Sequence, residues 1–272
     1  MTSPSETLAG PVARPPSASI RSVDKVVDIL ELLSTESRGL PLGEIAGRLG
    51  LNVSTVHHLL ATLRNRGMVA QDERSKAYRL GYGLVRIANR FLSETDLYPA
   101  AIGPVEKLRD RSGETSYLSA FQDKAIAEVI LLPGVRPIQV RRVQRPGKSS
   151  LHSTATGKTL LAYLPGEESA VLLAGRELAR FTPKTIVDRL RLGTELDLIR
   201  SRGYALDDEE DYVGVQCVAV PVCVAGGKCV AAVSVSYPAS PPERTEELIQ
   251  LVSEAAATVS ANLGAVPIHP NA

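Results

Sequence analysis

At 272 residues the chain is long for a single hydrophobic core, so two domains are expected. Its formal net charge of +1 conceals an uneven spread: residues 21–92 hold eleven Lys and Arg against seven acids, and from residue 93 onward 19 basic residues meet 22 acidic ones. A polyanion partner is therefore expected for the front only, while three cysteines, Cys217, Cys223 and Cys229, exclude a disulfide framework and match no zinc-binding spacing.

Residues 1–19 are rich in Pro, Ser and Ala and lack an apolar core of signal-peptide length, so a disordered tail is expected. The longest apolar run, 213–225, carries Gln216 and is too short to span a bilayer. No membrane partner and a cytoplasmic location are expected.

From residue 20 to 82 the pattern is that of a winged helix. Val23, Val26, Val27, Leu30 and Leu33 recur at helical spacing and predict one apolar face on a first helix over 22–34. Leu42, Ile45, Ala46 and Leu49 predict a shorter helix, with Pro41 in its first turn and Gly50 just past its end. After a tight turn at 50–52, Val56, Leu59, Leu60 and Leu63 predict a third helix ending before Gly67. Two helices joined in this way make a helix-turn-helix.

The third helix is the informative one. Opposite its apolar stripe stand Ser54, His57, His58, Ala61, Thr62 and Asn65, small or hydrogen-bonding groups with no acid among them. A helix entering a DNA major groove requires such a face. Residues 68–71 and 77–80 flank the polar turn 72–76 and predict a hairpin, whose Arg74, Lys76 and Arg79 stand ready for phosphates.

Gly83 to Ser93 continues as a helix joining the two domains, with Leu84, Ile87 and Phe91 at apolar spacing. Beyond it, β-rich stretches at 115–121, 127–132, 218–222 and 230–235 alternate with helices at about 99–111, 156–164, 184–202 and 243–262. That order suits an antiparallel sheet with packed helices, an α+β fold.

"LHSTATGKTLLAYL", residues 151–164, contains Gly157-Lys158-Thr159, the tail of a phosphate-binding loop. The loop needs a glycine five positions before the Gly-Lys pair so that its amides can wrap the phosphates; His152 occupies that place. A helix start fits better: Ser153, Thr154 and Thr156 can cap it, and Leu160, Leu161 and Leu164 supply an apolar face.

Several separated motifs, in order, resemble the IclR family of bacterial transcription regulators over about residues 20–264. They are "SVDKVVDILELL", "LPLGEIAGRLGLNVSTVHHLLATLRNRGMV" and "YRLGYGLVRIA" in the front, and "LHSTATGKTLLAYL", "FTPKTIVD", "RSRGYALDDEEDYVGVQCVAVPV" and "AAVSVSYP" in the rear. The resemblance implies an N-terminal winged helix-turn-helix over 20–82, a linker helix over 83–94 that helps pair subunits, a GAF-like effector domain over 95–264 and a tail over 265–272. It identifies the 151–164 stretch as part of the effector domain. Double-stranded DNA with a pseudo-palindromic operator, a small-molecule effector and a second or further copies of the chain are the implied partners, without cofactor or metal. The expected DNA contacts are Lys25, Ser54, Thr55, His57, His58, Thr62, Arg74 and Lys76. Lys25 and His58 stand where the family commonly has arginine, and neither reproduces its two parallel hydrogen bonds to guanine or phosphate.

In proteins of this resemblance a small organic or aromatic acid lies between the sheet and the "HSTATGK" segment. Carried over, the effector residues are Ala155, Thr156, Asp207, Cys217, Ser234 and Ser236. Ser234 and Ser236 share one strand face, and amides at the start of the 156–164 helix attract a carboxylate. Arg141, Arg142, Arg145 and Lys148 form a basic loop that could steer an anion. The function expected is a DNA-binding repressor of a catabolic operon. Two rival classes remain: an enzyme with Cys217 as nucleophile and His152 as base, and a protein-interaction module. An apolar strand raises a thiol pKa, which counts against the first. The acid-free helix face counts against the second.

Overall fold

The computed structural model describes residues 20–94, 96–122, 125–140, 150–174 and 177–264. The tails at 1–19 and 265–272 and the basic residues Arg141, Arg142, Arg145 and Lys148 lie outside the described residues. The chain divides into two compact units between Glu94 and Thr95.

The first unit runs α1 (Arg21–Ser34), α2 (Leu42–Leu49), α3 (Val53–Asn65), β1 (Val69–Gln71), β2 (Tyr78–Leu80) and α4 (Tyr82–Glu94). Its core joins Ile29 and Leu33 of α1, Ile45 and Ala46 of α2, and Val56, Leu60 and Leu63 of α3 to Leu40, Val69 and Tyr78. The apolar face of α1 is rotated from the expected one: Ile29 is fully buried, whereas Val23 and Val27 are 54% and 45% exposed. Five apolar residues spread too far around a helix for all to face one small core; the stripe centres on Ile29, Leu33, Val26 and Leu30.

Pro41 is not in the first turn of α2 but caps it from an extended conformation (φ −70°, ψ 153°). Gly50 ends the helix in the left-handed region, at φ 62°, which suits a residue without Cβ. β1 and β2 pair antiparallel, and Leu40 adds a bridge through two backbone bonds to Tyr78 of 2.7 and 2.9 Å. The wing turn is built on Asp72, whose Oδ1 accepts from the Arg74 and Ser75 amides at 3.1 and 2.8 Å.

In the second unit, α5 (Leu97–Ser112) leads into β3 (Thr115–Gln122) and β4 (Ala125–Leu132). Then come α6 (Ala155–Tyr163), α7 (Gly166–Leu173), α8 (Arg189–Arg202), β5 (Ala205–Asp208), β6 (Val215–Cys223), β7 (Cys229–Pro238) and α9 (Pro242–Asn262). Five strands form an antiparallel sheet in the order β4-β3-β7-β6-β5. Leu118, Ile130, Val218, Val220, Val222, Val233 and Val235 pack on α5 and α9. On the other face Ala205, Cys217 and Ala219 pack with α6, α7 and α8. The expected α+β sheet with packed helices is what the chain forms.

α8 begins at Arg189 instead of residue 184. Asp188 caps it by accepting from the Arg191 amide at 2.8 Å. The residues before it are held by another network, in which the hydroxyls of Thr182 and Thr185 donate to the Glu209 and Glu210 carbonyls at 2.7 and 2.6 Å. Side-chain bonds of this kind offer the backbone an alternative to helix.

Gly157 shows why the "GKT" glycine is needed. A Cβ there would stand 2.3 Å from the Leu151 carbonyl oxygen. Gly193, inside α8, has nothing within 4 Å of such a Cβ. Gly157→Ala should therefore destabilise the protein by about 1–3 kcal/mol through overpacking. Gly193→Ala should stabilise it by up to about 1 kcal/mol through helix propensity. Urea unfolding followed by circular dichroism checks both signs.

Candidate nucleic-acid interface and effector site

On α3, Ser54, His57, His58, Thr62 and Asn65 are exposed, Thr55 and Ala61 are half-buried, and Val56, Leu60 and Leu63 are buried. Alternation of this kind is what a recognition helix needs: one face docked, the other presented to solvent. The His57 and His58 rings meet edge to face at 5.8 Å. Thr62 donates its hydroxyl to the His58 carbonyl at 3.0 Å, so in this conformation only its oxygen faces outward as an acceptor.

The wing is tied to this helix. Arg64 donates to Gln71 Oε1 at 3.1 Å, and Gln71 in turn donates to the Lys76 carbonyl at 3.1 Å. Lys76 holds φ 58°, an uncommon conformation for a residue with Cβ. Arg74, Lys76 and Arg79 are exposed. A cleft of about 470 Å³ lies between α2, α3 and the wing, lined among others by His57, Ala61, Arg64, Gln71 and Lys76. Arg64 and Gln71 were not among the expected contacts. Arg64 lies seven residues after His57, the same helical stripe, so its position was readable; the Gln71 bridge depends on where the wing folds. Lys25 is half-buried on α1.

In the second unit the strand register assembles the other site. Asp207, Cys217, Ser236 and Thr115 stand opposite one another across β5, β6, β7 and β3. The next row on the same face is Ala205, Ala219, Ser234 and Tyr117, and beyond it Ala232 faces Ser119. α6 covers these rows: Thr156 Oγ1 donates to Ser234 Oγ at 3.1 Å, and Thr159 Oγ1 to the Ala219 carbonyl at 3.4 Å. Cys217 Sγ and Ser236 Oγ are 3.1 Å apart. Thr156, Asp207, Cys217, Ser234 and Ser236 thus come together with the buried Ala155.

Tyr117 and Ser119 join the same face and were not expected, since their own segment carries no motif; only the pairing of β3 with β7 places them. Among the described residues, the buried Ser119 Oγ has no hydrogen-bond partner. Asp207 Oδ1 accepts from the Glu210 and Asp211 amides at 2.8 and 3.3 Å. Burial pushes its carboxyl up to about 7, against the lowering effect of the Glu210 amide bond.

The start of α6 is less open to an anion than expected. Thr154 accepts the Gly157 amide at 3.1 Å, so that donor is already used. Lys158 is fully buried, where a phosphate-loop lysine would be presented. It pairs with Glu210, with Glu195 at 3.8 Å, and Glu195 is held in turn by Arg202 at 2.8 Å. Ser153 Oγ donates to Asp211 at 2.8 Å. His152 Nε2 donates to the Ala179 carbonyl at 3.0 Å with its ring stacked on Phe181, and burial lowers its pKa.

Two domain matches agree with this geometry. Residues 22–73 match the IclR helix-turn-helix domain, and residues 89–261 match the C-terminal domain of the bacterial transcriptional regulator IclR. The chain belongs to the IclR family. It is 36% identical to the HTH-type transcriptional regulator BhcR of Paracoccus denitrificans, over 85% of this chain and 82% of that protein. It is 34% identical to the regulator KdgR of Escherichia coli, over 90% and 94% of the two chains. The crystal structure of Thermotoga maritima IclR superposes with a TM-score of 0.71 at 31% identity, covering 90% of this chain and 99% of that one. As an IclR-family protein it is a helix-turn-helix transcriptional regulator.

Two tests follow from the two sites. His58→Ala should change base preference at one position per half-site, whereas Lys76→Ala should weaken all sequences alike and lower the salt slope by roughly one charge. Selection of random duplexes, followed by salt titration of the winners, separates the two; unchanged affinity and preference in His58→Ala would remove that residue from the interface. In the second unit, Lys158→Met should cost about 3–5 kcal/mol by leaving a buried carboxylate uncompensated. Adding Glu210→Leu should return much of that loss in denaturant unfolding.

Proposed function

We propose that this regulator represses a catabolic operon and is released by a small organic or aromatic acid bound between α6 and the sheet. The observation that carries the effector reading is the polar floor of Thr115, Ser119, Ser234, Ser236 and Asp207 on one face of the sheet. Buried hydroxyls are costly unless paired, and Ser119 Oγ is left for a ligand to satisfy. An aromatic carboxylate suits this setting, with Tyr117 beside the hydroxyls and a carboxyl at Asp207 that is half protonated near neutral pH. A protein of this fold from Microbacterium hydrocarbonoxydans, 22% identical with a TM-score of 0.72, was crystallised with 4-hydroxybenzoate.

DNA is read by α3 and steadied by the wing through Ser54, Thr55, His57, His58, Thr62, Arg74 and Lys76, with Lys25 on α1. One recognition helix reads only a few base pairs, so two subunits on a pseudo-palindromic operator supply the specificity. Unburied apolar residues support self-association: Val23 and Val27 on α1, and Val85 and Ile87 on α4, are 45–54% exposed. A dimer or tetramer in the cytoplasm is the working form. No described helix is long and apolar enough to cross a membrane. The regulator does not act as an enzyme: His152 spends its Nε2 proton on a backbone carbonyl, and Cys217 lies against Ser236.

An effector controls DNA affinity only by binding the DNA-competent and DNA-incompetent states unequally. A coupling of about 1–3 kcal/mol would change operator affinity roughly 5- to 150-fold. Calorimetry of the full chain against a panel of small carboxylates and aromatic acids is the test. Ser234→Leu should abolish binding while leaving operator affinity intact; equal binding by the variant would place the effector elsewhere. The pH dependence has a definite sign. Below about 7, neutral Asp207 donates a hydrogen bond to an anionic effector; above it, the ionised carboxylate repels the ligand. Affinity should therefore fall as pH rises through about 7, and Asp207→Asn should flatten that profile.

A further inference from the structure

β6 and β7 meet at a hairpin whose tip, residues 225–228, is exposed. A bulge between Val222 and Cys223 shifts the register there, so that Cys223 stands directly opposite Cys229. Even spacing along the sequence gives no hint of this, because the bulge supplies the extra residue that brings the two into register. Both thiols are half-buried, while the third cysteine, Cys217, is buried on the α6 face of the sheet. Opposed residues of an antiparallel pair have Cα atoms about 4.5–5.5 Å apart, within the roughly 4.4–6.8 Å span a disulfide needs.

We propose that Cys223 and Cys229 form an oxidisable dithiol that reacts with hydroperoxides and closes to an intrachain disulfide. Cys223 is the attacking thiol and Cys229 the resolving one.

The local chemistry supports this division of roles. The Cys229 thiol donates to the Ala231 carbonyl at 3.3 Å, and the strand register sets it opposite Cys223. The neighbouring Cys229 lowers the Cys223 thiol from its ordinary value, whereas Cys223 beside it and burial push Cys229 up. The thiolate is the nucleophilic form, and it forms more readily at Cys223 than at Cys229. Its backbone amide is fixed by Ser260 Oγ at 3.1 Å, which anchors the bulge to α9. Burial raises the pKa of Tyr163 at the end of α6, and charge on nearby Cys223 adds to the shift.

The steps balance. The Cys223 thiolate attacks one peroxide oxygen, the O–O bond breaks, and with one proton taken up the products are a sulfenic acid and water. Cys229 sulfur then attacks Cys223 sulfur, the S–O bond breaks, and the departing hydroxide leaves as water with the Cys229 proton. Two thiols and one hydrogen peroxide thus give one disulfide and two waters. Small-molecule dithiols reverse the reaction by exchange.

The test treats the reduced full-length protein with hydrogen peroxide, alkylates the remaining thiols and maps the peptides by mass spectrometry. Free glutathione at the same concentration serves as the reference thiol. Cys223 and Cys229 should disappear together into a link within one chain, at least about tenfold faster than glutathione is consumed. Dithiothreitol should restore both, and Cys217 should remain alkylatable after unfolding. In Cys229→Ser, Cys223 should accumulate as a sulfenic acid trapped by dimedone. In Cys223→Ser, Cys229 should be lost at least about tenfold more slowly than in the wild type. Persistence of both thiols under peroxide that consumes glutathione would overturn the proposal. So would disulfides formed only between chains, or unaltered loss of Cys229 in Cys223→Ser.

Discussion

The second unit depends on one buried ammonium. Lys158 projects from α6 into a region with almost no solvent and meets Glu210, which follows β5, and Glu195 of α8. Burial pushes the Glu210 carboxyl up despite the cation beside it, and its Oε2 has no partner among the described residues. A pair of this kind adds little net stability over apolar packing of the same volume. What it supplies is registry: α6 meets β5 and α8 at the one setting that joins these charges. The hydroxyls of Thr156 and Thr159 are then carried onto Ser234 and the Ala219 carbonyl. The Gly157 contact with Leu151 works in the same direction, because any Cβ would lift the helix from its seat.

The first unit achieves its registry differently, through backbone bonds and small polar links. Leu40 stitches the segment before α2 to the wing strand β2, and Arg64 and Gln71 connect α3 to the turn carrying Lys76. The exposed polar residues of α3 and the wing are thereby linked without buried charge. Arg48, the basic residue ending α2, is already occupied by Glu36 and Glu44. Arg74, Lys76 and Arg79 of the wing are exposed.

Much of this was legible in the chain alone. Three helices, a hairpin and the polar face of α3 follow from periodicity, because a helix docked on one side must alternate every three or four residues. Glycine and proline punctuation located the turn between α2 and α3 to within a residue. The six candidate effector residues came through family motifs, and strand alternation already placed Ser234 and Ser236 on one face. Less legible was where an apolar stripe points: Val23 and Val27 have the spacing of core residues and lie exposed. The extended lead into α8 was also missed, since helix propensity at 184–188 gives way to hydroxyl bonds made with residues more than twenty positions away.

The sequence by itself determined that the chain is too long for one core and forms two units, that the front one is a winged helix with an acid-free helix face, and that Gly157-Lys158-Thr159 opens a helix and does not form a phosphate loop. The first follows from length, and the other two rest on contacts between near neighbours in the chain, for which spacing is sufficient information. Only the tertiary structure decided that Lys158 is a buried strut, that Tyr117 and Ser119 share the sheet face beneath α6, and that Cys223 opposes Cys229. Those facts depend on strand order, on register and on one bulge. A shift of a single residue in any pairing would turn every side chain to the opposite face.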